Sequence, residues 1–108
     1  MPRRRDVAGP PAGFVAEGGS WPGGPFVEGA PTAVDVAAEI SARLRTAIDT
    51  SGQSVTQVAA GLQVARTTVY DILNGTTFPD ITTVANAEVY FDCPLWPAHT
   101  KQRSRRRA

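Results

Sequence analysis

The chain holds one cysteine, Cys93, and one histidine, His99, in 108 residues. A single thiol cannot form an internal disulfide, and no Cys/His cluster of zinc-binding spacing exists. A Ser-His-Asp or Cys-His arrangement would have to use His99, which stands in a polar terminal stretch, so nucleophilic catalysis has no constellation to run on. Glu88 falls near the inner face of a predicted helix, where Arg43 or Arg45 is its expected partner and no second catalytic group stands by. Cys93 reads as a small core residue rather than a nucleophile. No enzymatic activity, metal or cofactor is expected. The chemistry on offer is ionic: Lys101, Arg103, Arg105, Arg106 and Arg107 form a basic run, and such a run seeks phosphate.

The net charge of +1 conceals a segregation. In residues 1–31, Arg3, Arg4 and Arg5 balance Asp6, Glu17 and Glu28. Residues 98–108 stand at +5, whereas 32–97 stand at −4, with only Arg43, Arg45 and Arg66 as cations. Ten arginines against one lysine resemble the coding bias of a GC-rich bacterial genome. No apolar run approaches the ~20 residues of a membrane span. The basic start, Met1 to Asp6, is followed by no apolar stretch, so it does not read as a secretory signal. The expected location is the bacterial cytoplasm, at the nucleoid.

Glycine and proline crowd into residues 1–31, where Phe14, Trp21 and Phe26 are isolated large apolar side chains. The expectation is a disordered arm, read as a solvated linker or, alternatively, as a short recognition motif around Trp21 to Phe26 that meets a protein partner. From Pro31 onward Val36, Ile40, Leu44 and Ile48 recur every four residues, the stripe of an amphipathic helix. Thr32 or Asp35 can cap its start, and Gly52 can end it. Ser54 and Gln57 fit a capping box that opens a short second helix through Val58, Ala59 and Leu62. A third helix runs from about Arg66 to Asn74 and stops at Gly75. Asp80 can cap a fourth, with Ile81, Val84, Ala87 and Phe91, which Pro94 ends; Leu95-Trp96-Pro97 would then fold an aromatic back onto the core. The expected fold is all-α, a small bundle of four to five helices over 32–97, with disordered tails at 1–31 and 98–108.

The stretch from Val55 to Asn74 resembles the helix-turn-helix of the XRE-type, Cro-like phage-repressor class. Val58 points to the core, Ala59 sits where two helices cross closely, Val64 plugs the turn, and Val69 and Ile72 form one inner face. The run Gly75, Pro79, Thr83-Val84 is similar to the family's continuation, as is the ending Phe91 to Pro97. The likeness covers roughly 36–97. Three positions depart from the family pattern. Gln63 stands where the turn usually has Gly, in a conformation that costs other residues about 1 kcal/mol or more. Ala65 replaces the usual capping Ser, and Val55 replaces a phosphate-gripping Gln, a role that Ser54 or Gln57 would have to fill.

The resemblance implies a transcriptional regulator that binds double-stranded DNA sequence-specifically, as a homodimer, with the helix at about 66–74 in the major groove. The outward residues would be Arg66, Thr67, Tyr70, Asp71 and Asn74. Arg66 suits guanine, Thr67 a phosphate or a thymine methyl, and Asn74 a base or backbone; Asp71 would accept from cytosine or else repel phosphate. Three of these also have a purely structural reading: Thr67, with Thr68, as a helix starter, Tyr70 packed across the bundle, and Asp71 balancing Arg66. Lys101, Arg103 and Arg105 join the expected contacts through phosphate. The competing reading is a protein-interaction module on the same fold, suggested by the acidic body.

Overall fold

Four apolar residues spaced along one helix set the frame of this fold. The computed structural model describes residues 9–98. Within them α1 spans Thr32–Ser51, α2 Val55–Leu62, α3 Arg66–Asn74 and α4 Ile81–Phe91. The stripe of α1 turns Ile40, Leu44 and Ile48 into the core, with Val36 packed against its edge. Val58, Ala59 and Leu62 of α2, Val69, Ile72 and Leu73 of α3, and Val84 and Ala87 of α4 meet them there. Apart from the starts of α1 and α3, the helix ends are closed by local chemistry that the residues dictate. Ser54 and Gln57 form the capping box of α2. Asp80 caps α4 by accepting the Thr83 amide. Gly52 and Gly75 end α1 and α3 in the left-handed conformation, with φ of 73° and 72°. The cap position of α1 falls on Pro31, not on Thr32, and makes no side-chain cap bond.

The fold is not all-α. Before α1 the chain forms a 3-10 turn, Pro11–Phe14, and two antiparallel strands, β1 at Val15–Ser20 and β2 at Gly24–Phe26. Val15 faces Phe26 and Ser20 faces Gly24, with the register slipping between the two pairs. The expectation of a disordered arm over 1–31 is therefore wrong for residues 9–31; residues 1–8 and 99–108 lie outside the described residues. A two-stranded hairpin is marginal on its own, and its stability here is tertiary. Pro11 is buried, the Ala12 amide donates to the Gly75 carbonyl at 2.8 Å, and the Trp21 indole N–H donates to the Ser41 hydroxyl at 3.1 Å. Trp21 and Phe26 meet edge to face with ring centroids 5.9 Å apart. The hairpin is thus sewn onto α1 and the end of α3.

Two expectations near the C-terminal end are also corrected. Leu95, not Trp96, is the side chain that folds back: Leu95 is buried, whereas Trp96 is 42 % exposed. Glu88 pairs with neither Arg43 nor Arg45. Its carboxylate accepts the amides of Leu95 at 2.7 Å and Trp96 at 2.9 Å. Arg43 instead pairs with Glu39, one turn back on α1. Glu88 therefore holds the segment after α4 so that Leu95 can enter the core.

Candidate nucleic-acid interface

α3 has two faces of opposite character. Val69, Ile72 and Leu73 are buried, while Arg66, Thr67, Tyr70 and Asn74 are exposed. At 100° per residue those four fall within a sector of about 100° that contains none of the three buried side chains, although Leu73 borders it beside Arg66. The face begins in the first turn with Arg66, which belongs to no ion pair among the described residues. It continues through Tyr70, which is 48 % exposed. Asn74 ends it, next to Gly75. Asp71 lies at the edge of this face, half-buried. Its carboxylate accepts the Thr76 hydroxyl at 2.9 Å, which ties it to the loop after α3 rather than to Arg66.

The turn that sets α3 against α2 carries the strain expected of its residues. Gln63 sits at φ 62°, ψ 42°, a left-handed position that costs a residue with a Cβ. Its amide donates to the carbonyls of Ala59 and Ala60, so the turn keeps its hydrogen bonds at the cost of that strain. Val64 is partly buried against the core, and Ala65 caps α3 with no side-chain bond.

Ser54 and Gln57, at the start of α2, both spend acceptor oxygens on capping. The Gln57 amide donates to Ser54 Oγ at 3.1 Å, and the Ser54 amide donates to Gln57 Oε1 at 2.8 Å. The Ser54 O–H and the Gln57 side-chain NH₂ are still donors, the atoms a phosphate oxygen would need. Both residues are exposed. α2 is also held from behind: Tyr90 of α4 covers Gly61, and its hydroxyl donates to Gln53 before the helix.

Sequence reasoning missed the groups that fix α3 from its far end. Ser41 is fully buried, and its hydroxyl donates to the Leu73 carbonyl at 3.0 Å while accepting from Trp21. The signal was present: Ser41 follows Ile40 directly and lies on the apolar side of α1, a place where a hydroxyl needs a partner. Lys101, Arg103 and Arg105 lie outside the described residues. Among the described residues no group of three or more His, Cys, Asp or Glu side chains could hold a metal ion, and no helix is long and apolar enough to cross a membrane. No protein-family model, curated protein or solved structure matches this chain.

Proposed function

We propose that this protein is a sequence-specific, duplex-DNA-binding transcriptional regulator of the XRE-like helix-turn-helix kind, working in the bacterial cytoplasm at the nucleoid. The observation that carries the reading is the exposed face Arg66–Thr67–Tyr70–Asn74, with an unpaired guanidinium in the first turn of α3 and every large apolar residue of that helix turned away. A helix so arranged can enter a major groove and offer Arg66 to the two acceptors of a guanine. Ser54 and Gln57 then serve as phosphate donors at the start of α2, and Lys101, Arg103 and Arg105 add phosphate contacts without sequence preference. Asp71, committed to Thr76, takes no part as a base reader in this reading. The protein acts as a homodimer on paired half-sites. Ile81, Ala85 and Val89 support this. They follow one line of α4, with Ile81 74 % and Val89 82 % exposed. The order large, small, large reads the same in both directions, so an antiparallel second copy can set Ile81 against Val89.

A second reading, a protein-interaction module on the same scaffold, is favoured by the acidic balance of the body. Fluorescence-anisotropy titration with mixed genomic duplex at two salt concentrations separates them. Binding that weakens steeply with salt supports the regulator. Absence of any duplex binding at low salt turns the assignment to the interaction module.

A further inference from the structure

The two ends of α4 carry complementary features. At its start, Phe78 precedes Ile81 by three residues and is 38 % exposed, outside the core. A residue before proline is held extended, and Asp80 is extended as well, so Phe78 lies up to about 10 Å beyond Ile81. At the other end a cleft opens between α4 and α1. Ala42, Thr46 and Ala47 line it from α1, and Phe91, Cys93 and Pro94 from the end of α4 and just after it. Its volume is about 530 Å³, room for an aromatic ring and a neighbouring side chain. The one charged residue on its wall, Arg43, is already paired with Glu39 at 2.7 Å. An ionic ligand finds no unmatched charge there, whereas an apolar side chain buries its surface without stranding a polar group.

Antiparallel pairing of two α4 helices brings these features together. With Ala85 on the two-fold axis, position 81 of one copy faces position 89 of the other, and position 78 faces position 92. The register that sets Ile81 against Val89 thus carries Phe78 onward to residues 91–94, the wall of the second copy's cleft. We propose that the homodimer is locked by an exchange of rings: Phe78 of each copy, with Pro79 beside it, seats in the other copy's cleft between α1 and residues 91–94. This inference rests on the homodimer reading above. The contact is isologous, so it is made twice. It also fixes the register, because sliding one helix by a turn moves Phe78 about 5.4 Å off its seat. A fixed register sets the separation of the two α3 faces, to which half-site spacing must correspond.

Cys93 is the chain's one cysteine, so its reactivity reports on the cleft directly. The experiment combines sedimentation equilibrium of the wild type and Phe78→Ala with the rate of Cys93 modification by dithionitrobenzoate over a range of protein concentration. Circular dichroism checks each fold, and Phe78→Ala is expected to keep it because the ring is exposed in the single copy. Cys93 should react several-fold more slowly in the wild-type dimer than in the monomer. A buried interface anchor is worth on the order of 30-fold in affinity and is counted twice here, so Phe78→Ala should weaken dimerisation roughly 10²–10³-fold. Phe78→Cys gives a second readout. Within one chain the length of α4, about 16 Å, keeps position 78 from Cys93, too far for a disulfide. Oxidation by diamide should therefore link position 78 of one copy to Cys93 of the other and give a covalent dimer that the wild type does not form. A wild-type dimer whose Cys93 reacts as fast as the monomer's overturns the seating and leaves the α4 contact standing. So does a Phe78→Ala variant that dimerises as tightly as the wild type, or a dimeric Phe78→Cys variant that diamide does not link. A wild type that stays monomeric at millimolar concentration overturns the homodimer reading itself, and this inference with it.

Discussion

Trp21 and Ser41 form a hydrogen bond across twenty residues, indole N–H to hydroxyl at 3.1 Å, and the same hydroxyl donates to the Leu73 carbonyl at 3.0 Å. One buried oxygen thereby links the N-terminal hairpin, the frame helix α1 and the last turn of α3. Replacing Ser41 by Ala keeps the volume nearly constant and strips both partners at once. Leaving buried polar groups unpaired costs on the order of 1–3 kcal/mol. Urea unfolding of Ser41→Ala should show a loss in that range, and amide exchange should quicken at Ala12 and Val27, whose amides donate to Gly75 and Phe14. A variant as stable and as protected as the wild type would mean that the hairpin is held by other contacts.

Gly75 and Gly52 offer a controlled comparison. Both have positive φ, 72° and 73°. A Cβ at Gly52 meets nothing within 4 Å, whereas one at Gly75 would stand 2.6 Å from Trp21. Gly52→Ala should therefore cost only the left-handed strain, about 1 kcal/mol. Gly75→Ala should cost clearly more, because the Trp21 ring must also leave its seat. Equal melting-temperature losses for the two variants would refute the close seating of Trp21.

At Gln63 the opposite change should help. The left-handed turn between α2 and α3 is occupied by a residue with a Cβ, and glycine removes that penalty. Gln63→Gly is expected to raise stability by about 1 kcal/mol in denaturant titration, less the greater freedom of glycine in the unfolded chain. A net loss would show that the Gln63 side chain contributes something that its exposed position does not suggest.

Much of the helical part was legible because its signals are local. The stripe of Ile40, Leu44 and Ile48, the Ser54–Gln57 box, the Asp80 cap and the stop at Gly75 each depend on residues within a turn or two of one another. The left-handed Gln63 was legible for the same reason. The hairpin was not. Its strands are short, glycine-rich and without alternation, and what orders them is a set of contacts to Ser41 and Gly75, far along the chain. Glu88 misled in the same way: its charge suggested an arginine, and its geometry serves two backbone amides. At the candidate site, the outward set of α3 followed from helical spacing, but the tie of Asp71 to Thr76 depended on how the next loop turns.

Acid should loosen the segment after α4. The amides of Trp96 and Leu95 hold the Glu88 carboxyl below its ordinary value of 4.5, and the Thr83 hydroxyl and amide likewise lower Asp80 from 3.8. Both groups favour the charged form in the folded state. Their contribution is complete above the unfolded values and is lost as pH falls through the lower folded ones. Stability measured from pH 6 downward should thus decline below about pH 4.5, and Glu88→Gln should flatten that decline. An acid limb of the same steepness in Glu88→Gln would remove Glu88 as its source.

The central claim is that the outward face of α3 reads sequence, and Arg66 is where it is most exposed to test. Arg66 is the only lysine or arginine between Arg45 and Lys101, and it stands in the first turn of the helix. A bidentate contact to guanine is worth about 1–3 kcal/mol of discrimination. The direct measurement is a competition titration of wild type and Arg66→Ala between a duplex selected from random sequence and its scrambled counterpart. The account predicts that Arg66→Ala, folded by circular dichroism, loses roughly 5- to 150-fold in the ratio of selected to scrambled affinity while its binding to scrambled duplex changes little. A folded Arg66→Ala with the wild-type ratio, or a wild type that prefers no duplex over its scrambled form, would contradict it.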